Sequence, residues 1–159
     1  MALSRNPKTT TFPFKKGERA RLRGEAETIA AGERLGRALR SGDAICLTGG
    51  IGAGKTTLVK GIAGGLGLRA DIGAVASPTF VLIKEYPCRV TLYHADLYRL
   101  ESLGPVERGY LSECFASDGV TVVEWGEKAL GELPAGTHDF EMRHAGASER
   151  DLFYKGVLA

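Results

Sequence analysis

The apolar positions of the chain fall into short blocks, and their spacing predicts the elements. Between Glu25 and Leu39, residues Ile29, Leu35 and Leu39 return near one face of a 3.6-residue period with alanines between them, which predicts a first helix. Gly24 is an acceptable N-cap, and Glu27 adds a carboxylate to the first turn. Ser41-Gly42-Asp43 reads as a turn. Ala44 to Thr48 is apolar until its last residue, the pattern of a strand buried on both faces. A glycine-rich loop follows and opens a helix from about Lys55 to Leu66, ended by Gly64, Gly65 and Gly67.

Further on, Phe80 to Tyr86 and Arg89 to His94 read as two strands of a hairpin turning at Pro87-Cys88. Glu101 to Phe115 reads as a helix whose ends are blurred by Gly104-Pro105 and Gly109. Val120 to Val123 is a second buried strand and ends at Glu124-Trp125. Phe140 to Arg143 and Leu152 to Lys155 alternate well enough to be a closing antiparallel pair with a turn at Gly146. The sum is an α/β three-layer sandwich on a mixed, mainly parallel sheet, with the Ala44 and Val120 strands as the parallel core and the other strands as antiparallel edges. Residues 1–23 read as a basic N-terminal extension with room for one short strand, and residues 24–159 as the domain.

Composition narrows the function classes. Lys plus Arg number 21 against 19 Asp plus Glu, a surplus of +2 that makes no case for a dedicated nucleic-acid binder. A local patch such as Arg19, Arg21 and Arg23 reads as a solvated edge or as an RNA or partner contact. No apolar run approaches the roughly 18 residues of a membrane-crossing helix, so no membrane role is expected. Cys46, Cys88 and Cys114 are far apart and form no C-x-x-C, which encodes neither a zinc site nor a dithiol and fits a reducing, cytoplasmic setting. The 22 glycines are in excess, and they ask where the backbone turns sharply or approaches something closely.

The loop after the first buried strand supplies the chemistry. Gly49-Gly50-Ile51-Gly52-Ala53-Gly54-Lys55-Thr56 matches G-x-x-x-x-G-K-[ST], between a strand and a helix, which is the setting of a P-loop and makes the sandwich one of the P-loop NTPase kind. Glycines let phosphate oxygens reach backbone amides, and the helix start favours the anion. Lys55 supplies a cation for the β- and γ-phosphates, the Thr56 hydroxyl can ligate Mg²⁺, and Thr57 can reach the α-phosphate. Hydrated Mg²⁺ also needs a carboxylate. Two acids end apolar stretches: Glu124, in the place of a Walker B acid, and Asp96, within His94-Ala95-Asp96-Leu97-Tyr98-Arg99. One could hold the metal or its water while the other orients the attacking water. Ser77-Pro78-Thr79-Phe80 offers hydroxyls where a γ-phosphate sensor could sit. His94 reads as a packed or hydrogen-bonded residue, and His138 and His144 have no partners at ligand spacing. Trp125, the single tryptophan, either fills the core or reports on ligand binding.

The P-loop, Ser77-Pro78-Thr79-Phe80, His94-Ala95-Asp96-Leu97-Tyr98-Arg99 and Glu124-Trp125, in this order and spacing, resemble one family: the bacterial tRNA threonylcarbamoyladenosine biosynthesis protein TsaE, a small P-loop ATPase. The similarity runs from about Glu25 to about Arg150. It implies binding and weak hydrolysis of ATP with Mg²⁺, and work with a TsaB–TsaD pair in placing threonylcarbamoyl on adenosine 37 of tRNA, the tRNA itself being touched indirectly or weakly. By matched motif it implies phosphate and Mg²⁺ roles for Lys55 and Thr56, a switch-loop role for Thr79, acidic site roles for Asp96 and Glu124, and a place near the nucleotide for Thr28. Two departures stand out. Gly50 occupies a position where the family usually has an acid, and Ile51 one where it usually has leucine. The basic extension is also longer than usual. Two other readings of the same loop stay open: a small-molecule kinase of shikimate-kinase size, and a non-catalytic switch in which nucleotide state only toggles the Thr79 loop.

Overall fold

The computed structural model describes residues 11–78 and 81–159. Ten main elements follow one another: β1 (Arg19–Arg23), α1 (Gly24–Ala38), β2 (Ala44–Thr48), α2 (Lys55–Gly65), β3 (Ile83–Tyr86), β4 (Leu92–Asp96), α3 (Pro105–Ala116), β5 (Val120–Glu124), β6 (His138–His144) and β7 (Glu149–Val157). Short 3₁₀ turns lie at Ile72–Ala74 and Gly126–Ala129. The strands form one sheet in the order β1-β7-β6-β2-β5-β4-β3.

The α/β sandwich and its mixed sheet are as the apolar pattern predicts, but the parallel core is wider. β2 pairs in parallel with both β5 and β6, and β4 pairs in parallel with β5. Only β3, β7 and β1 run antiparallel to their neighbours. The expected hairpins are real, yet each puts its inner strand beside a central one. Alternation in a sequence reports which face of a strand is buried, and says nothing about the neighbour on its second edge.

Successive residues of the central strands feed two cores. Ile45, Leu47, Val120, Val122, Phe140 and Met142 pack with Leu35 of α1 and Leu58 and Ile62 of α2. Ala95 and Val123 point the other way, onto Leu111 of α3. α3 starts later than the predicted Glu101, because Pro105 occupies the first turn and favours a helix start there.

Much of the glycine excess lies between α1 and α2. A Cβ on Gly61 would stand 2.2 Å from the Ile29 carbonyl oxygen and 2.8 Å from the Gly32 Cα. A Cβ on Gly65 would stand 2.2 Å from the Glu33 carbonyl oxygen. The two helices therefore touch backbone to backbone, which carries the start of α1 close to the start of α2. Phe14 and Arg19–Arg23 are packed onto the same sheet. β1 pairs with β7, and Phe14 is buried with its ring edge-on to Phe140 at 5.5 Å. Arg21 is neutralised there by Asp151 and, at 3.0 Å, by Glu149.

Candidate functional site

At the C-terminal ends of β2, β4 and β5 lies a cleft of about 630 Å³. This is where the sheet order reverses around β2 and where open α/β sheets generally hold ligands. Residues Ile51 to Thr57 form one wall, the start of α1 with Thr28 another, and Asp96, Glu124 and Trp125 a third.

The loop owes its path to backbone that other residues rarely adopt. Gly54, at the N-cap of α2, has φ 99°, and no side chain caps the helix start. Gly49 has φ 144°, and a Cβ there would meet the Met142 carbonyl oxygen at 2.4 Å. Gly49 and Gly50 stand behind the lining residues, and their carbonyls each accept from Lys55 Nζ at 2.7 Å. Lys55 also lies 4.6 Å from the centre of the Trp125 ring. Burial lowers the Lys55 pKa, while Glu124 and Asp96 pull it back up. The acid that the family resemblance leads one to expect at position 50 would have room, since nothing lies within 4 Å of a Cβ there.

The two acids differ in setting. Glu124 is 2% exposed, and its Oε1 accepts from the Thr56 hydroxyl at 2.8 Å. Asp96 is half-buried; its Oδ2 accepts from the Ser77 hydroxyl, and its Oδ1 from the Tyr98 amide at 2.9 Å. Register places Asp96 directly opposite Glu124, side by side at the ends of two parallel strands. Ser77 thus ties the segment before Thr79 to the site, while Thr79 and Phe80 themselves lie outside the described residues. Thr28 is buried at the cleft wall and donates to the Gly24 carbonyl at 3.1 Å. Trp125 is in the left-handed region at φ 59°, and Tyr98 packs on it with ring centres 5.2 Å apart.

Sequence reasoning missed the far wall. Arg150 of β7 lines the cleft and donates to the Gly52 carbonyl at 3.1 Å, and His144 of β6 lies 3.0 Å from the Ile51 carbonyl. These contacts span more than ninety residues of chain, and no local pattern announces them. The oxygen donors of Thr56, Glu124 and Asp96 suit a hard cation. Among the described residues no group of three His, Cys, Asp or Glu side chains could hold a metal by itself. Oxygen donors of this kind fit Mg²⁺, which keeps several waters and takes much of its coordination from substrate phosphates. Among the described residues no helix is long and apolar enough to cross a membrane.

Comparison with known proteins gives a consistent result. The sequence model of the family described as threonylcarbamoyl adenosine biosynthesis protein TsaE matches residues 22–152. The tRNA threonylcarbamoyladenosine biosynthesis protein TsaE of Treponema pallidum is 41% identical over 130 residues, covering 82% of this chain and 94% of the relative. Its counterpart in Bacillus subtilis is 39% identical over 132 residues, covering 82% and 80%. The crystal structure of Bacillus subtilis YdiB superimposes with a TM-score of 0.72 at 34% identity, covering 89% of this chain and 86% of that one.

Proposed function

The chain belongs to the TsaE family, and from that premise we propose that it is a Mg²⁺-dependent ATPase of tRNA threonylcarbamoyladenosine synthesis, acting in the cytoplasm with TsaB and TsaD. The observation that carries the reading is the hydrogen bond between Thr56, at the end of the glycine loop, and the buried Glu124 at the end of β5. It closes one wall of a cleft whose other walls offer loop amides and a lysine.

The residues divide the work by chemistry. Loop amides from Ile51 to Thr57 and the start of α2 receive the phosphates. Lys55 exchanges the carbonyls of Gly49 and Gly50 for β- and γ-phosphate oxygens, and the α-phosphate is within reach of Thr57. Mg²⁺, when bound, would supply charge neutralisation to the phosphates. Thr56 and Glu124 are the residues that would hold it, with Asp96 beside them. Glu124 and Asp96 are also the only candidates among the cleft carboxylates for accepting the proton of an attacking water, apart from Glu25 at the start of α1. Thr79 senses the γ-phosphate, and Thr28 lies near the nucleoside. The modification of tRNA itself belongs to the partner proteins, with hydrolysis here resetting the complex.

Release of inorganic phosphate from Mg·ATP by the purified chain, alone and with cognate TsaB and TsaD, tests this reading. Slow hydrolysis that rises with the pair is expected. An unchanged rate with the pair present refutes it.

A further inference from the structure

Glu124 stands at the end of β5 with almost no exposure, and a carboxylate so placed keeps its orientation through the donors that reach it. Thr56 is one. The second is His94, whose Nε2 lies 3.1 Å from the same Oε1. His94 is fully buried on β4, two residues before Asp96, and in the register it faces Val122 while Asp96 faces Glu124. His94, Asp96 and Glu124 therefore share one face of the sheet. A carboxylate oxygen accepts, so the ring nitrogen facing it, Nε2, is the donor. Nδ1 has no partner among the described residues.

We propose that His94 is the positioning residue of the site: its Nε2–H fixes Oε1 of Glu124 and leaves Oε2 as the oxygen offered to the cleft. The proposal rests on the Mg-nucleotide reading above. Thr56 donates to the same Oε1, but the lone pairs of its hydroxyl oxygen stay open to the metal, so it has a second task at the site. The imidazole has no such second task. It sits behind the carboxylate, in a fully dry position.

The test uses the full chain with saturating ADP and follows Trp125 fluorescence as Mg²⁺ is added. In His94→Leu the half-saturating Mg²⁺ concentration should rise about tenfold or more, with affinity for metal-free ADP changed less than threefold. In His94→Gln, whose amide can donate at similar reach, it should stay within about threefold of wild type; His94→Asn, too short to reach, should behave like His94→Leu and replaces it if that variant does not fold. Independently, ¹⁵N-histidine spectra of the nucleotide-free protein should show His94 as the Nε2–H form, with a slowly exchanging proton lost in Glu124→Ala. Equal half-saturation in the Gln and Asn variants, or an Nδ1–H form, overturns the proposal while leaving the nucleotide reading in place. Silence of the wild-type protein toward Mg²⁺ and ADP at millimolar concentration overturns the nucleotide reading and the proposal with it.

Discussion

Replacing Glu124 separates stability from chemistry if two variants are compared. Glu124→Ala removes the acceptor of two buried hydrogen bonds, from Thr56 and from His94. The Thr56 hydroxyl can turn to water in the cleft. His94 is 0% exposed and cannot. A buried donor left without a partner costs about 1–3 kcal/mol, reduced somewhat by relief of the buried carboxylate. In a chain of this size each kcal/mol moves the melting temperature by roughly 2–4 °C, so a fall of about 2–10 °C is expected. Glu124→Gln keeps an oxygen in the place of Oε1 and presents an amide NH₂ to the cleft. It should melt within about 2 °C of wild type. Both variants should lose turnover roughly a hundredfold or more, because neither can take a proton or ligate a cation at that oxygen. Both should retain most of their affinity for metal-free ATP, which loop amides and Lys55 supply, while needing more Mg²⁺ to saturate. Calorimetry for binding, phosphate release with the partner proteins for turnover, and thermal melts for stability together decide the matter. Wild-type turnover in either variant would falsify the assignment of Glu124.

Four further expectations follow from other parts of the molecule. Lys55→Ala should weaken nucleotide binding by about 2–4 kcal/mol, measured by calorimetry, since a cation and its charge-assisted hydrogen bonds are lost. Gly61→Ala should destabilise the fold by about 1–3 kcal/mol in urea despite alanine's better helix propensity, because its Cβ would meet the backbone of α1; Gly109→Ala on exposed α3, where nothing lies within 4 Å, should stabilise by up to about 1 kcal/mol. The Arg21 guanidinium holds the Asp151 carboxyl below the usual carboxylate range, so this pair stabilises the fold above about pH 3.9 and its contribution is lost as the pH falls through the lower, folded value. Urea midpoints of wild type and Asp151→Asn should thus differ at pH 7 and converge near pH 2. Thr79→Ala should lower partner-stimulated turnover more than Mg·ATP affinity, and an unchanged stimulated rate would return Ser77-Pro78-Thr79-Phe80 to an ordinary turn.

The parts of the site that were legible in the sequence are those encoded locally. The glycine loop is legible because its motif lies within eight consecutive residues, and the strand before it and the helix after it are short-range patterns. Glu124 is legible because it ends an unbroken apolar strand. The remainder depends on pairing between distant segments. Arg150 and His144 reach the loop from β7 and β6 only because β6 lies parallel to β2, a neighbour that its alternation could not reveal. Gly64, Gly65 and Gly67 read as the end of α2, which does stop at Gly65, but the close approach of the α1 backbone at Gly61 and Gly65 left no local signal. The role of His94 was invisible for the same reason, since its partner is thirty residues away on another strand.

The widened parallel core bears on function directly. With β4 at an antiparallel edge, as its hairpin alone suggested, Asp96 and Glu124 would have no fixed relation. Parallel pairing of β4 with β5 forces equal strand direction, so both strands end at the same cleft and their last residues, Asp96 and Glu124, stand opposite each other. The same pairing puts His94 one pleat behind, beside the carboxylate of Glu124. Asp96 in turn accepts from Ser77, in the segment that leads to Thr79. The site so built has one acid tied to the helix that opens the glycine loop and one acid tied to the segment before Thr79.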